Sequence, residues 1–328
     1  MSRLSVIGAG AWGTTLSILL AENGHDVTLW CYEKELAAEM AQLRENRSFL
    51  PGFPLGQKIV PTADARATAG AEFFVLAVPT QFLRGTAGQF SKIIPASAVV
   101  VSASKGIEER SLALPLEIIA AAVDNKNLCV LSGPNLSSEI ARGLPAAAVA
   151  AAADLTVARR VQQCLMQERF RVYTNTDVLG LQLGGALKNV IAIAAGIADG
   201  LQLGDNAKAG LLIRGLAEIT RLGVVMGAKA ETFAGLSGMG DLIATCASRL
   251  SRNHLVGENI ARGQKLPAIL KEMKDVAEGV PTARAARELG KKHRVNLPIT
   301  EQVYLALYEG KDPYQAIGEL MTRAATSE

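Results

Sequence analysis

Lys188 and Asn189 lie in a stretch that is apolar on nearly every side, and they are the residues there with chemistry to offer. Leu187, Ile191, Ala194 and Ala198 form one stripe at three- and four-residue spacing; Val190, Ala194, Ile197 and Leu201 form the next. A helix greasy all round is a buried helix, entered here through Gly184 and Gly185, so it carries the lysine and the asparagine inside. An ammonium taken out of water without a partner is costly, and its pKa falls. A chain tolerates one where it faces an anion or must hand over a proton near neutral pH. Lysines near helix ends commonly snorkel to the surface, but this helix has no polar face to lead one out. Lys188 is therefore the expected chemical centre.

Other segments offer it partners. Glycines crowd the run Leu236-Ser237-Gly238-Met239-Gly240-Asp241, which suggests closely packed backbone rather than a free loop. Asp241 opens an apolar helix that continues through Thr245 and Cys246, either as a simple N-cap or dipole partner or as a functional carboxylate. Ser251-Arg252-Asn253 combines a planar fork with small donors, suited to a phosphate or pyrophosphate; a solvated turn arginine is the plainer alternative. At the other end of the chain, Gly8-Ala9-Gly10-Ala11-Trp12-Gly13 follows the short strand Leu4–Ile7, opens a helix read over 14–23, and is followed by a strand at Val27–Trp30. In that context the three glycines mark a dinucleotide-binding turn, with the helix N-terminus presenting N–H groups to the phosphates. Glu33, 20 residues past Gly13, stands where an acid would bind the ribose hydroxyls of NAD, while Tyr32 and Lys34 beside it could stack on adenine or meet a 2′-phosphate.

The elements that must hold these residues follow from the hydrophobic pattern. Glu72–Val78, Ala98–Val101 and Leu128–Leu131 read as buried strands, separated by helical stretches over 86–94 and 112–123. They end in Pro79-Thr80-Gln81-Phe82, in Ser102-Ala103-Ser104-Lys105-Gly106 and in Ser132-Gly133-Pro134-Asn135. Ligands of parallel sheets bind beyond the carboxyl ends of the strands, which makes Pro79, Phe82 and Lys105 candidates. Ala146–Ala153 has the propensity of a helix, but Pro145 and Asp154 bound a segment short enough for a strand, and a strand is expected. Strand signals stop after Tyr173. Helices are read over 178–199, 206–222, 252–262, 281–292, 299–309 and 313–323, the last opened by Asp312 and Pro313. The fold class is thus α/β: a Rossmann-like, doubly wound, mostly parallel sheet over 1–177, then an all-α substrate and catalytic domain over 178–328.

Composition agrees and removes several classes of function. At 328 residues, 49% hydrophobic and 20% charged, the chain is globular and long enough for two domains. A net charge of +3, from 34 basic and 31 acidic residues with no basic run, argues against a nucleic-acid partner or membrane insertion. Four scattered cysteines and three histidines argue against a metal site and for reduced cytosolic thiols. The N-terminus enters a strand with no signal-peptide pattern. A soluble, cytoplasmic protein is expected.

The motifs taken together resemble one family. Gly8–Gly13, Lys105-Gly106, Ser132-Gly133-Pro134-Asn135, Gly184-Gly185-Ala186-Leu187-Lys188-Asn189-Val190, Asn206-Ala207-Lys208-Ala209, Gly240-Asp241-Leu242 and Ser251-Arg252-Asn253 resemble, in order, the bacterial NAD(P)-dependent glycerol-3-phosphate dehydrogenases. The resemblance implies reduction of dihydroxyacetone phosphate to sn-glycerol 3-phosphate with NADH or NADPH, feeding phospholipid synthesis, in a cytosolic homodimer. It implies that Lys188 transfers the proton, that Lys105 is a cation beside the substrate, and that Asp241 orients Lys188. It implies that Gly133, Asn135, Asn189, Asp241, Thr245, Ser251, Arg252 and Asn253 line the substrate site. Ala11, Trp12, Tyr32, Ser137, Arg252, Val276 and Glu278 match positions that touch the cofactor. The chain departs at Asn135, where bacterial members often have Thr, and at Tyr32, where they often have Arg or His; the choice between NADH and NADPH stays open. Mechanistically, Arg252 and Asn253 would clamp the phosphate, while Lys105 and Lys188 would face the reacting oxygen and lower each other's pKa. A β-hydroxyacid or 6-phosphogluconate-type dehydrogenase is the rival enzyme. A non-catalytic NAD(P)-responsive regulator is the rival of another class, though it would have no need for a proton donor.

Overall fold

The computed structural model describes residues 2–273 and 275–323. It divides into two compact units: residues up to Lys105 with Ala113–Gln182, and Gly106–Leu112 with the chain from Leu183 onward. The division runs through a helix, five residues beyond the boundary read from the sequence.

The first unit contains, in order, β1 (Arg3–Ile7), α1 (Ala11–Glu22), β2 (Asp26–Trp30), α2 (Lys34–Leu43), a small hairpin of β3 (Glu45–Asn46) and β4 (Leu50–Pro54), and β5 (Ile59–Thr62). It continues with β6 (Phe73–Leu76), α3 (Thr80–Phe90), β7 (Val99–Ser102), α4 (Pro115–Ala122), β8 (Leu128–Ser132), α5 (Ser137–Ala141), β9 (Ala146–Ala151), α6 (Leu155–Leu165) and β10 (Phe170–Asn175). The eight-stranded sheet has the order β10-β9-β8-β7-β6-β1-β2-β5. All its neighbours pair in parallel except β8 with β9. Every residue of β6 and β7 is buried, as expected of strands covered on both faces. Strand order reverses at β1, between β2 and β6, and that switch point opens the crevice in which such sheets hold ligands. The alanine-rich segment is indeed a strand. Pairing with β8 on one side and β10 on the other overrides alanine's helix propensity.

Several boundaries differ from the sequence reading for local reasons. α1 begins at Ala11, three residues before the expected Thr14, so Gly13 lies inside the helix. α3 begins at Thr80 after Pro79 instead of at residue 86; Gly85 and Gly88 dilute its apolar stripe. α4 begins at Pro115, where Glu117 accepts the Leu114 N–H at 2.8 Å, because Leu112 has φ +61 and cannot be helical. α2, α6, β5 and the hairpin have no counterpart in the sequence reading.

α7 (Val178–Gly200) bridges the division, and from Leu183 on the described residues are helical or irregular. The helices are α8 (Gly204–Val225), α9 (Ala230–Ala234), a single π turn at Leu236–Gly240, α10 (Asp241–Ala247), α11 (Arg252–Ala261), α12 (Leu266–Glu272), α13 (Gly279–His293), α14 (Pro298–Tyr308) and α15 (Pro313–Met321). α7 begins at Val178, as the helix read over 178–199 has it, with Asp177 accepting the Gly180 N–H at 2.9 Å; Gly184 and Gly185, expected as its entry, lie inside it. Gly184 is needed inside the helix, because a Cβ there would stand 2.8 Å from the Ser237 carbonyl oxygen of the π turn. Every residue from Gly180 to Ile193 is buried. α7 is long and apolar enough to cross a membrane by composition, yet 83% of its most apolar window is buried, as in a core helix.

Candidate functional site

The glycine turn after β1 uses its three glycines in three ways. Gly8 sits at φ +108, and a Cβ there would come 2.6 Å from the Ala77 carbonyl oxygen. Gly13, in the first turn of α1, would place a Cβ 1.9 Å from the Gly8 oxygen, so helix and turn touch through backbone. Gly10 is different: nothing lies within 4 Å of the position its Cβ would take. The structure keeps that space open in front of the helix. Gly10 is also the N-cap of α1 and gives it no side-chain cap, so the first N–H groups are available to an anion. Trp12 adds an indole Nε1–H that is buried and meets no partner among the described residues. An open approach, uncapped donors and an orphaned N–H fit a dinucleotide pyrophosphate.

The turn is held from behind by a residue with no signature in the sequence. Asn46, fully buried on the hairpin, donates through Nδ2 to the Ala9 carbonyl and to Thr14 Oγ1, both at 2.8 Å. Its Oδ1 accepts the Phe49 N–H at 3.1 Å. A lone asparagine in a polar stretch gives no hint of this burial.

Further candidates line the carboxyl edge of the same sheet. Tyr32 and Glu33 follow β2 and are exposed; Glu33 is the N-cap residue of α2. Pro79 caps α3, and Phe82 projects from that helix with 64% exposure. Ser137 begins α5 beside α1, and its carbonyl accepts from Thr15 Oγ1 at 3.3 Å. Lys105 and Gly133 come together: the Lys105 ammonium donates to the Gly133 carbonyl at 2.8 Å. Gly133 has φ +136 and sits so close to β9 that a Cβ would lie 2.9 Å from the Ala147 oxygen. Asn135 donates to that same oxygen at 3.2 Å, and its own Oδ1 is buried with no hydrogen bond among the described residues.

The second unit assembles its candidates around Lys188, which is 6% exposed. The ammonium forms a hydrogen-bonded ion pair with Asp241 and donates to Thr245 Oγ1 at 2.6 Å. Thr245 donates on to Asp241 Oδ1 at 3.3 Å, one helical turn along α10. Asp241 is 1% exposed and stands in the first turn of α10, where the helix dipole favours its charge and the carboxylate meets Lys188. The π turn that delivers it needs Gly238, whose Cβ would lie 2.1 Å from the Phe233 oxygen. Cys246 follows within the same buried shell; burial pushes its thiol up to about 12, which keeps it protonated and outside the ionic cluster.

Asn189 joins α7 to α11. Its Oδ1 accepts from Asn253 Nδ2 at 2.9 Å, and Asn253 Oδ1 accepts the Gly279 N–H at 2.8 Å. Ser251 caps α11, accepting the His254 N–H at 3.3 Å. Arg252 is nearly half exposed and lies 3.5 Å from Asp275. Val276, exposed, and Glu278, the N-cap residue of α13, lie in the segment between Asp275, which faces Arg252, and Gly279, which meets Asn253. α7 and α11 run in the same direction, from the Asn189–Asn253 contact to Gly200 beside Ala261. They approach through backbone: a Cβ on Gly196 would lie 2.0 Å from the His254 oxygen, and one on Gly257 would lie 2.0 Å from the Ile193 oxygen.

Two family models cover the chain. One, described as the NAD-dependent glycerol-3-phosphate dehydrogenase N-terminus, matches residues 3–158; the other, described as the C-terminus of the same enzyme, matches residues 177–318. The chain is 52% identical to a glycerol-3-phosphate dehydrogenase (NAD(P)+) of Geobacter sp. (strain M21), over 99% of the chain and 98% of that relative. It is 47% identical to the enzyme of that name from Streptomyces avermitilis, over 99% of the chain and 98% of that relative. The crystal structure of glycerol-3-phosphate dehydrogenase from Coxiella burnetii superposes with a TM-score of 0.95 at 35% identity, covering 98% of this chain and 99% of that one. These likenesses run the length of the chain and favour the glycerol-3-phosphate reading over the β-hydroxyacid alternative.

Proposed function

The chain belongs to the NAD-dependent glycerol-3-phosphate dehydrogenase family, and from that premise we propose that it reduces dihydroxyacetone phosphate to sn-glycerol 3-phosphate with NADH or NADPH. The observation that carries the reading is the buried Lys188 ammonium, held by Asp241 and Thr245. When bound, the nicotinamide supplies a hydride to the substrate's carbonyl carbon, and the carbonyl oxygen becomes an alkoxide. Lys188 transfers a proton to that oxygen, and the alkoxide becomes the product hydroxyl. Asp241 keeps the ammonium oriented.

The remaining residues bind and align. Arg252 offers a bidentate fork to the substrate phosphate, with Ser251, Asn253 and Asn189 as neutral partners. Binding energy gained there, away from the reacting carbon, fixes the orientation of the carbonyl. Lys105, Gly133 and Asn135 are likewise assigned to substrate recognition. Gly8, Gly10, Ala11, Trp12, Gly13 and Ser137 receive the pyrophosphate side of the cofactor; Tyr32 and Glu33 meet the adenosine; Pro79 and Phe82, with Val276 and Glu278, complete the contacts. The open Gly10 face and the uncapped start of α1 support this assignment. The product feeds glycerophospholipid synthesis in the cytoplasm, and the enzyme works as a homodimer; the family resemblance supports both.

A spectrophotometric assay tests the whole reading. Oxidation of NADH and NADPH should depend on dihydroxyacetone phosphate, and the ratio of the two rates gives the cofactor preference. Turnover of a 3-hydroxy acid, with none of dihydroxyacetone phosphate, would replace this reading with the β-hydroxyacid one. Light scattering on the purified protein gives the oligomeric state.

A further inference from the structure

Asp199 lies on α7 eleven residues beyond Lys188, well outside the ionic cluster just described. One of its carboxylate oxygens, Oδ2, holds two side chains from two other helices: His254 Nε2 at 2.7 Å and the Lys208 ammonium at 2.6 Å. Burial raises the carboxyl's pKa, but the hydrogen bonds from Lys208 and His254 outweigh it and hold the group below the usual carboxylate range. Glu258 also faces the ring, 4.0 Å from Nδ1. His254 is otherwise pinned on all sides. Its N–H meets the Ser251 cap, its carbonyl packs on Gly196, and its side chain is almost wholly buried. The residue just before it is Asn253 and the one before that is Arg252, whose own guanidinium is nearly half exposed with only a long ion pair to Asp275 described. The fork is therefore aimed by its backbone, and that backbone is anchored through His254.

We propose that Asp199 is a positioning residue for the phosphate-binding turn Ser251–Asn253, fixing the first turn of α11 by gathering His254 from α11 and Lys208 from α8 onto one carboxylate of α7. The inference gives Asn206-Ala207-Lys208-Ala209, which the proposed chemistry leaves without a task, a role at a distance. It rests on the reading above that Arg252 and Asn253 hold the substrate phosphate.

The test is steady-state kinetics with inorganic phosphate as a competitive inhibitor, on Asp199→Asn, Lys208→Met, Lys208→Arg and, as a control, Arg252→Ala. Asp199→Asn should raise both the KM for dihydroxyacetone phosphate and the inhibition constant of phosphate by about tenfold, the scale of a lost charged hydrogen bond. Its kcat should stay within about twofold of wild type, since Lys188 is untouched. Lys208→Met, a change at a side chain that is one-fifth exposed, should move both constants in the same direction, and Lys208→Arg should restore them. If Arg252→Ala raises both constants while Asp199→Asn and Lys208→Met leave them unmoved, the inference fails. It fails equally if Asp199→Asn lowers kcat and thermal stability without weakening phosphate inhibition. Arg252→Ala without effect would instead overturn the phosphate assignment on which the inference stands.

Discussion

The glycine turn after β1 is marked by absent atoms, whereas Lys188 is marked by the partners gathered on it. Gly10 leaves its Cβ position empty, and the helix behind it gives up its cap. The Lys188 ammonium is instead held by Asp241 and Thr245 within a buried shell. On the proposed function, the first site recognises a ligand that brings its own charge, so the protein supplies donors and room. On the same proposal the second changes its charge during the reaction, so the protein supplies a counterion. A mutation should therefore report differently in the two places.

The sharpest test of that contrast is Lys188→Ala. Turnover should fall by roughly 10²–10⁴, the range for lost acid–base catalysis, while NADH titrated by fluorescence binds nearly as before. Wild-type turnover would take the proton transfer away from Lys188. The second unit also buries an acid, Glu218, which accepts the N–H groups of Ile299 at 2.6 Å and Thr300 at 3.2 Å at the start of α14. Burial pushes its carboxyl up from 4.5 to about 7 against those hydrogen bonds. The fold thus favours the protonated acid, whose stabilisation is complete below pH 4.5 and is lost as pH rises through about 7. Stability measured by urea unfolding should drop over that window by on the order of 3 kcal/mol relative to Glu218→Gln; parallel curves for the two proteins would show that Glu218 is not shifted.

Smaller effects separate the sites further. Arg252→Lys keeps the charge and loses the fork, so the KM for dihydroxyacetone phosphate should rise by about tenfold or more. An unchanged KM removes Arg252 from the phosphate. Within the turn, Gly10→Ala and Gly13→Ala should part company. Gly13→Ala forces a Cβ into the Gly8 carbonyl and should destabilise the protein by about 1–3 kcal/mol. Gly10→Ala meets nothing in the protein, so its melting temperature should hold while NADH affinity falls by up to about tenfold. Equal melting temperatures for the two variants would erase the distinction.

Legibility in the sequence followed the range of the contacts. The turn at Gly8–Gly13 could be read because strand, glycines and helix are adjacent, and the burial of Lys188 could be read because its helix lacks a polar face. The pairing with Asp241 spans 53 residues, and no local period encodes it; it was reached through family likeness. Asn46 behind the turn and Gly279 against Asn253 were invisible for the same reason, since only tertiary packing makes their residue types necessary. The antiparallel setting of β9 was also out of reach, because strand direction depends on how the chain returns rather than on composition.

The α7–α11 pair has one more consequence. Because peptide groups rather than side chains meet at Gly196 and Gly257, the spacing of the two helices that carry the proposed proton source and phosphate clamp is set by main-chain contact. Selection among phosphorylated ketones by their reach would then be written into main-chain geometry, and enlarging the substrate range would require rebuilding the helix pair rather than trimming a pocket wall.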